Sequence, residues 1–312
     1  MSTPARPPTE HLEFYKYHGC GNDFVLVDGT KHPNLNGEGL GVMAPRLCDR
    51  RLGIGADQVL FIEARAHRHQ YGLRIWNSDG SEAGMCGNGL RCTARHVTMR
   101  LGDFAEVVTF FISDRPYSVR VLRDQSGGFR AATVTMGTPE FEAQKIPTTL
   151  RRRGESVIDV ALPDGTMSAA LQAAGIEPRL TCVSMGNPHA VFFGAATMGE
   201  LSTDVMRGVE HAAWFPERTN VHLCVVESRS ELRLRTWERG VGTTFACGSG
   251  ACAVVAAGVV RGLLDRQCRV KMPGGEVDVY WAQGGTITLS GPAEEVFSGI
   301  WRGGKGEARL DS

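Results

Sequence analysis

Short apolar runs separated by turn residues dominate this chain, and helical periodicity is confined to a few stretches. In the first half, "DFVLVDG" (Asp23 to Gly29), "YGLRIWN" (Tyr71 to Asn77), "VTFFIS" (Val108 to Ser113), "YSVRVLRD" (Tyr117 to Asp124) and "AATVTMG" (Ala131 to Gly137) predict strands. The second half adds "HAVFFG" (His189 to Gly194), "NVHLCVVES" (Asn220 to Ser228), "ELRLRTWE" (Glu231 to Glu238) and "TITLSG" (Thr286 to Gly291). "CRVKMPGGEVDVYW" (Cys268 to Trp281) predicts a hairpin turning at Gly274 and Gly275. Helices are predicted over Gly39 to Leu52, just after Cys86, over Ser168 to Ala174 and just after Cys247. The last of these continues as "ACAVVAAGVVRGLL" (Ala251 to Leu264), apolar nearly all round, which places it in a core rather than on a surface.

The pattern also repeats. "RIWNSDGSEAGMCGNG" (Arg74 to Gly89) lies over "RTWERGVGTTFACGSG" (Arg235 to Gly250) without a gap, matching Arg, Trp, Cys, Gly and Gly at equal spacing. Upstream of each, "GCGNDFVLVD" (Gly19 to Asp28) and "SMGNPHAVFF" (Ser184 to Phe193) share Gly-Asn before an apolar strand. Two matches in one order predict a duplicated domain, each copy running strand, loop, cysteine, helix.

Composition narrows what such a molecule does. At 312 residues two domains are expected. Hydrophobic content of 42% with 22% charge is that of a globular protein, and 34 basic residues balance 34 acidic ones, so nothing recommends nucleic acid or a membrane surface as partner. The lead "MSTPARPPTEH" carries no apolar signal core and reads as disordered, and the expected location is the cytoplasm. Nine cysteines, an odd number without any CxxC, suit reduced thiols better than a disulfide framework. No paired ligand spacing accompanies either CGxG, so no metal is expected; His67 and His69 of "HRH" read as a solvated loop, and "RRRGES" (Arg151 to Ser156) reads as solvated surface.

The candidate chemistry centres on Cys86 and Cys247. A cysteine immediately before a helix meets free amides and the positive end of the helix dipole, which stabilise a thiolate and also cradle a carboxylate. Taken singly, such a residue reads as a small buried thiol behind a tight turn. Two symmetric copies point instead to a thiolate removing an α-proton from one face of a carbon while the opposing thiol delivers a proton to the other. The developing enediolate needs preorganised donors, for which the amides of Gly87, Asn88, Gly248 and Ser249 are candidates. Pyridoxal phosphate chemistry needs a Schiff-base lysine; Lys16, Lys31, Lys145, Lys271 and Lys305 all lie outside the two repeats, and no dinucleotide or P-loop fingerprint is present. Cofactor-independent chemistry follows as the expectation.

The chain resembles the diaminopimelate epimerase family from about Glu13 to Trp301. "HGCGNDFVLVD" (His18 to Asp28), "GIGADQ" (Gly53 to Gln58), "NSDGSEAGMCGNGLRC" (Asn77 to Cys92), "MGNPH" (Met185 to His189), "PERTN" (Pro216 to Asn220) and "ERGVGTTFACGSGA" (Glu238 to Ala251) follow in family order. The resemblance implies an α/β (α+β) fold of two pseudo-symmetric domains, each a curved, mostly antiparallel sheet wrapped around a central helix, with the active site in the cleft between them. It implies domains over 12–133, with 296–312 returning to the first, and over 134–295. It further implies interconversion of LL- and meso-diaminopimelate without cofactor or metal, in the route to lysine and peptidoglycan, by a homodimer. Cys86 and Cys247 fall on the catalytic pair, His189 and Glu238 on the groups assisting them, and Asn22, Gln58, Asn77, Asn187, Asn220, Glu238 and Arg239 on the substrate lining. Taken alone each Asn reads as a turn residue. The chain departs from the family at Thr243, where many members have Glu, and at Cys20, where many have Leu. Relatives acting on proline share the two-cysteine engine but typically replace the Asn of "CGNG" with His; a racemase of another amino acid is the alternative, and a non-catalytic anion-binding module leaves both cysteines unexplained. Two thiols at one carbon are also expected to join on oxidation.

Overall fold

A computed structural model of the protein describes residues 11–31, 37–163, 165–194 and 203–303. The lead expected to be disordered falls outside them up to residue 10, as do 304–312. The chain divides into two compact units: the residues up to Gly19, Asp23–Ala132 and those from Ala293 onward form one, and Cys20–Asn22 with Thr133–Pro292 the other.

In the first unit the strands Leu12–Gly19 and Asn22–Asp28 are neighbours across a two-residue turn. Asn22–Asp28 runs parallel to Gln58–Ala64, which is antiparallel to Gln70–Asn77; that strand is parallel to Val107–Ile112, itself antiparallel to Arg115–Arg123. The second unit repeats the order. Arg179–Ser184 is antiparallel to Pro188–Gly194, which is parallel to Asn220–Ser228; then come Glu231–Glu238 antiparallel, Gln267–Met272 parallel and Gly275–Trp281 antiparallel. Parallel neighbours require a crossover, and helices supply it at equivalent points: α1 (Glu38–Cys48) and α2 (Gly87–Arg100) in the first unit, and in the second α4 (Thr203–Glu210) and α5 (Gly248–Val260), preceded by α3 (Thr166–Ala173). The strand Glu294–Trp301 pairs antiparallel with Leu12–Gly19.

The continuous apolar runs are explained by burial on both faces. Val25, Val27, Val59 and Phe61 pack with Leu40, Ala44 and Leu47 of α1, whereas Phe24 and Leu60 lie against Gly89 in the first turn of α2. In the second unit Ala190, Phe192, Val221 and Leu223 join one core with Met206 and Val209 of α4. Helix α5 packs against five strands of its unit, and Cys252 to Ala257 are fully buried along it. Each such valine contributes about 1.5–3 kcal/mol of burial, so this central helix is held by its whole circumference.

Three expectations are corrected. Helix α1 ends at Cys48 rather than Leu52, because Asp49 Oδ1 accepts from the amides of Arg51 and Leu52 at 2.7 Å each and draws the chain into a turn. The hairpin expected to turn at Gly274 and Gly275 turns at Pro273 and Gly274, since Met272 pairs with Gly275. A Cβ on Gly274 would lie 1.8 Å from the Cys20 carbonyl oxygen, so that glycine answers a close approach rather than the second turn position. Strands at Leu12–Gly19, Gln58–Ala64, Arg179–Ser184 and Glu294–Trp301, and helix α4, are additional to those the hydrophobic pattern predicts.

Candidate functional site

Each unit ends one strand with polar side chains and carries the chain from it through a loop into a cysteine-capped helix. In the first unit Gln58 and Asn77 are cross-strand partners, and Gln58 Nε2 donates to Asn77 Oδ1 at 2.9 Å. Asn77 Nδ2 in turn donates to Ser81 Oγ at 3.0 Å. The loop is folded back by Ala83 N–H to the Ile75 carbonyl and by the Trp76–Glu82 bridge, which delivers the chain to Cys86. Cys86 is the N-cap of α2, with φ −123° and ψ 111°, and its Sγ accepts from the Gly89 amide at 3.4 Å. It is half-buried, and Asn88 beside it is buried.

The second unit builds the same cap on different surroundings. Cys247 is the N-cap of α5, with φ −132° and ψ 108°, and its Sγ accepts from Gly250 N at 3.4 Å with Ser249 Oγ 3.6 Å away. A cysteine in the place usually held by Ser, Thr, Asp or Asn satisfies one of the helix's unpaired amides while holding its sulfur at the positive end of the dipole. Cys247 is buried, and burial, together with the negative charge and hydrogen bond of Glu238, pushes its thiol well above the ordinary range; Ser249 and the Gly250 amide act the other way.

Hydrogen bonds interlock the expected site residues of the second unit. Asn220 is buried; its Nδ2 donates to the Pro188 carbonyl at 2.8 Å and its Oδ1 accepts from Arg239 N at 2.9 Å. Arg239 Nη1 reaches the Glu217 carbonyl at 3.1 Å. His189 is fully buried, with Nε2 at 2.9 Å from Asn187 Oδ1 and Nδ1 at 2.8 Å from His222 Nε2. Burial, then His222 and Arg239, hold its pKa well below the usual imidazole value. The two histidine-bearing strands align so that His189 pairs with Asn220 as Phe24 pairs with Gln58. Duplication therefore equates Asn22, Gln58, Asn77 and Cys86 with Asn187, Asn220, Glu238 and Cys247. Gly21 and Gly186 precede the two equivalent asparagines at φ 84° and φ 93°, a left-handed conformation that glycine adopts without strain.

Two residues beyond those the motifs single out belong to this arrangement. His222, fully buried, has Nδ1 at 3.1 Å from Thr236 Oγ1, and burial lowers its pKa to about 3. Glu210, buried on α4, accepts from Trp237 Nε1 at 2.6 Å and Gly240 N at 2.9 Å, clamping the turn that carries Glu238 and Arg239. A histidine inside the apolar run "NVHLCVV" was the available signal for the first; Glu210 sits in an amphipathic segment with none. Of the departures, Thr243 is exposed opposite Trp237, and Cys20 is buried at φ 55°. The stretch 151–156 is exposed, as are His67 and His69, the latter with Nδ1 at 2.6 Å from Asp103.

The fold is shared by a class of solved structures. Among solved structures, a phenazine biosynthesis protein of the PhzF family from Bacillus anthracis aligns with a TM-score of 0.69 at 14% identity, covering 94% of this chain and 99% of that one. A hydroxyproline epimerase from Agrobacterium vitis aligns at 0.59 and 12% identity, covering 95% and 92%. The sequence narrows the class. The family model described as diaminopimelate epimerase matches residues 14–141 and 181–296. The diaminopimelate epimerase of Gloeothece citriformis is 41% identical over 293 residues, 93% of this chain and 99% of that protein. That of Synechocystis is 40% identical over 295 residues, 92% and 98%, and the chloroplastic one of Oryza sativa 40% over 298 residues, 92% and 79%. The chain belongs to the diaminopimelate epimerase family.

Proposed function

We propose that the protein interconverts LL- and meso-diaminopimelate in lysine and peptidoglycan precursor synthesis, using Cys86 and Cys247 as its acid–base pair and no cofactor. The observation that carries this reading is the duplicated cap: two thiols in one backbone geometry, each accepting the third amide of its helix. A thiol at a helix start is competent both to take and to give a proton. The amides of Gly87, Asn88, Gly248 and Ser249 are assigned to the substrate carboxylate, where they stabilise the negative charge that develops as the α-proton leaves.

Protons balance across a turnover. One sulfur enters as thiolate and leaves as thiol, the other does the reverse, and the two must exchange protons with solvent before the next cycle in the same direction. Burial and Glu238 hold the proton on Cys247 in the ligand-free protein, so Cys247 is assigned as acid and Cys86 as base in the direction that starts from that state, and the roles exchange in the other direction. His189, neutral through burial, is assigned to the Cys86 step and Glu238 to the Cys247 step. The distal, non-reacting end of the substrate is assigned to Asn22, Gln58, Asn77, Asn187, Asn220 and Arg239: amide donors and a guanidinium suit its carboxylate, and amide oxygens its ammonium. On family grounds the enzyme is read as a cytoplasmic homodimer.

The deciding assay offers diaminopimelate, histidine, proline and glutamate at equal concentration to reduced enzyme without added cofactor and follows inversion by chiral chromatography. Diaminopimelate alone is expected to turn over; preferential turnover of another amino acid would replace this reading with the racemase alternative.

A further inference from the structure

The second unit contains a line of polar atoms in which two buried members, Thr236 and His222, have no assigned part in the two-thiol chemistry. It runs from Thr236 Oγ1 to His222 Nδ1 at 3.1 Å, from His222 Nε2 to His189 Nδ1 at 2.8 Å, and from His189 Nε2 to Asn187 Oδ1 at 2.9 Å. Strand register builds it: His222 is the cross-strand partner of Thr236, and His189 pairs with Asn220, two residues before His222. Both rings are fully buried, 5.0 Å apart between centroids, in surroundings that keep them neutral.

A neutral imidazole has one donor nitrogen and one acceptor. Two such rings in line therefore share a single polarity, and setting one proton sets the others. In one polarity Thr236 donates to His222, His222 Nε2–H donates to His189 Nδ1, and His189 Nε2–H donates to Asn187 Oδ1, leaving the Asn187 NH2 group directed away. In the other, both rings carry their proton on Nδ1 and Asn187 turns its NH2 toward His189. The first offers a ligand hydrogen-bond donors, as a carboxylate requires; the second offers an acceptor, as an ammonium requires. The structure sets Asn187 Oδ1 against His189, which is the first polarity. The His222 ring is also confined, since a Cβ on Gly250 would meet its Cε1 at 2.4 Å and the Cys247 sulfur at 3.1 Å. The ring is packed against the first turn of α5.

We infer that His222, backed by Thr236, is a positioning residue that fixes the Nε2–H tautomer of His189 and thereby holds the amide of Asn187 as a donor toward a substrate carboxylate. This rests on the assignment of Asn187 to the substrate lining above, but its first test does not. Long-range 15N–1H correlation on histidine-labelled, ligand-free protein reads each tautomer directly, and both rings are expected as Nε2–H; an Nδ1–H signal from His189 would overturn the inference. Kinetics supply the second test. His222→Gln places an amide N–H where Nε2–H was, and should keep the His189 tautomer and kcat/KM within about threefold of the parent. His222→Asn keeps an amide near Thr236 but does not reach His189; the loss of one neutral hydrogen bond predicts a rise in KM of about tenfold with a smaller change in kcat. Equal losses in both variants would mean that the ring is only packing, and no loss in His222→Asn would equally overturn the role. An enzyme inactive on diaminopimelate but with both rings as Nε2–H would contradict the proposed substrate and leave the relay standing.

Discussion

The start of α2 and the start of α5 share a backbone and differ in almost everything around it. Both begin with a cysteine in extended conformation whose sulfur accepts the amide three residues on, at 3.4 Å in each. At Cys86 the preceding strand ends in Asn77, which Gln58 and Ser81 hold through neutral hydrogen bonds. At Cys247 it ends in Glu238, which acts on the thiol directly, and a histidine ring fills the space beside the third residue of the helix. Duplication supplied the cap twice, and divergence gave one copy a charge and a buried polar chain. The lesson is that the cap geometry alone gives two equivalent thiols, whereas the surroundings of Cys247 push its pKa up.

Breaking the engine should have the largest effect. Cys86→Ala and Cys247→Ala are each expected to lower the rate of inversion by about 10⁴, the upper range for a lost acid–base group, measured as the approach of LL to meso isomer by chromatography. Loss from one variant only would break the two-thiol account. Next comes the asymmetry itself. Glu238→Gln removes a charge that raises the Cys247 pKa, so the pH–rate limb belonging to Cys247 should move to lower pH, with kcat falling about 10²; a limb that moves up or stays would contradict the assignment. The equivalent glycines separate more modestly. Gly250→Ala sets a methyl 2.4 Å from the His222 ring and should cost about 1–3 kcal/mol of overpacking, read from urea midpoints. Gly89→Ala meets the end of Leu60 at 3.2 Å, with Cys86 and Phe24 at an ordinary 3.6 Å, and gains helix propensity of about 1 kcal/mol, so it should be near neutral. Equal costs would mean that the two helix starts are packed alike. The smallest effect expected is that of Ser249→Ala. Its hydroxyl lowers the Cys247 pKa, so its loss should move the same limb to higher pH, opposite to Glu238→Gln, with kcat changed by no more than about threefold.

Much of this arrangement was legible in the residues, for identifiable reasons. Runs such as "DFVLVDG" and "HAVFFG" announced strands because both faces are covered, and the two CGxG segments announced helix starts because glycine follows the cap. Strands such as Leu12–Gly19 and Glu294–Trp301 were silent, since mixed polar and aromatic positions hide the alternation on which strand reading depends. Helix α1 ends before the expected Leu52 because Asp49 takes two amides with its side chain, a competition that periodicity does not see. The same blindness hid His222 and Glu210. Each acts through atoms brought together by register or by a crossover helix, and neither lies in a motif.

The most direct test of the central claim is inversion of LL-diaminopimelate in D2O, stopped early, with deuterium counted separately in product and recovered substrate. A thiol carries one proton, so a returned proton is the one just removed, while the opposite thiol holds solvent deuterium. The account predicts deuterium at the α-carbon of the meso product and almost none in the recovered LL isomer. Equal labelling of both would contradict it, because a single base exchanging freely with solvent labels substrate and product alike.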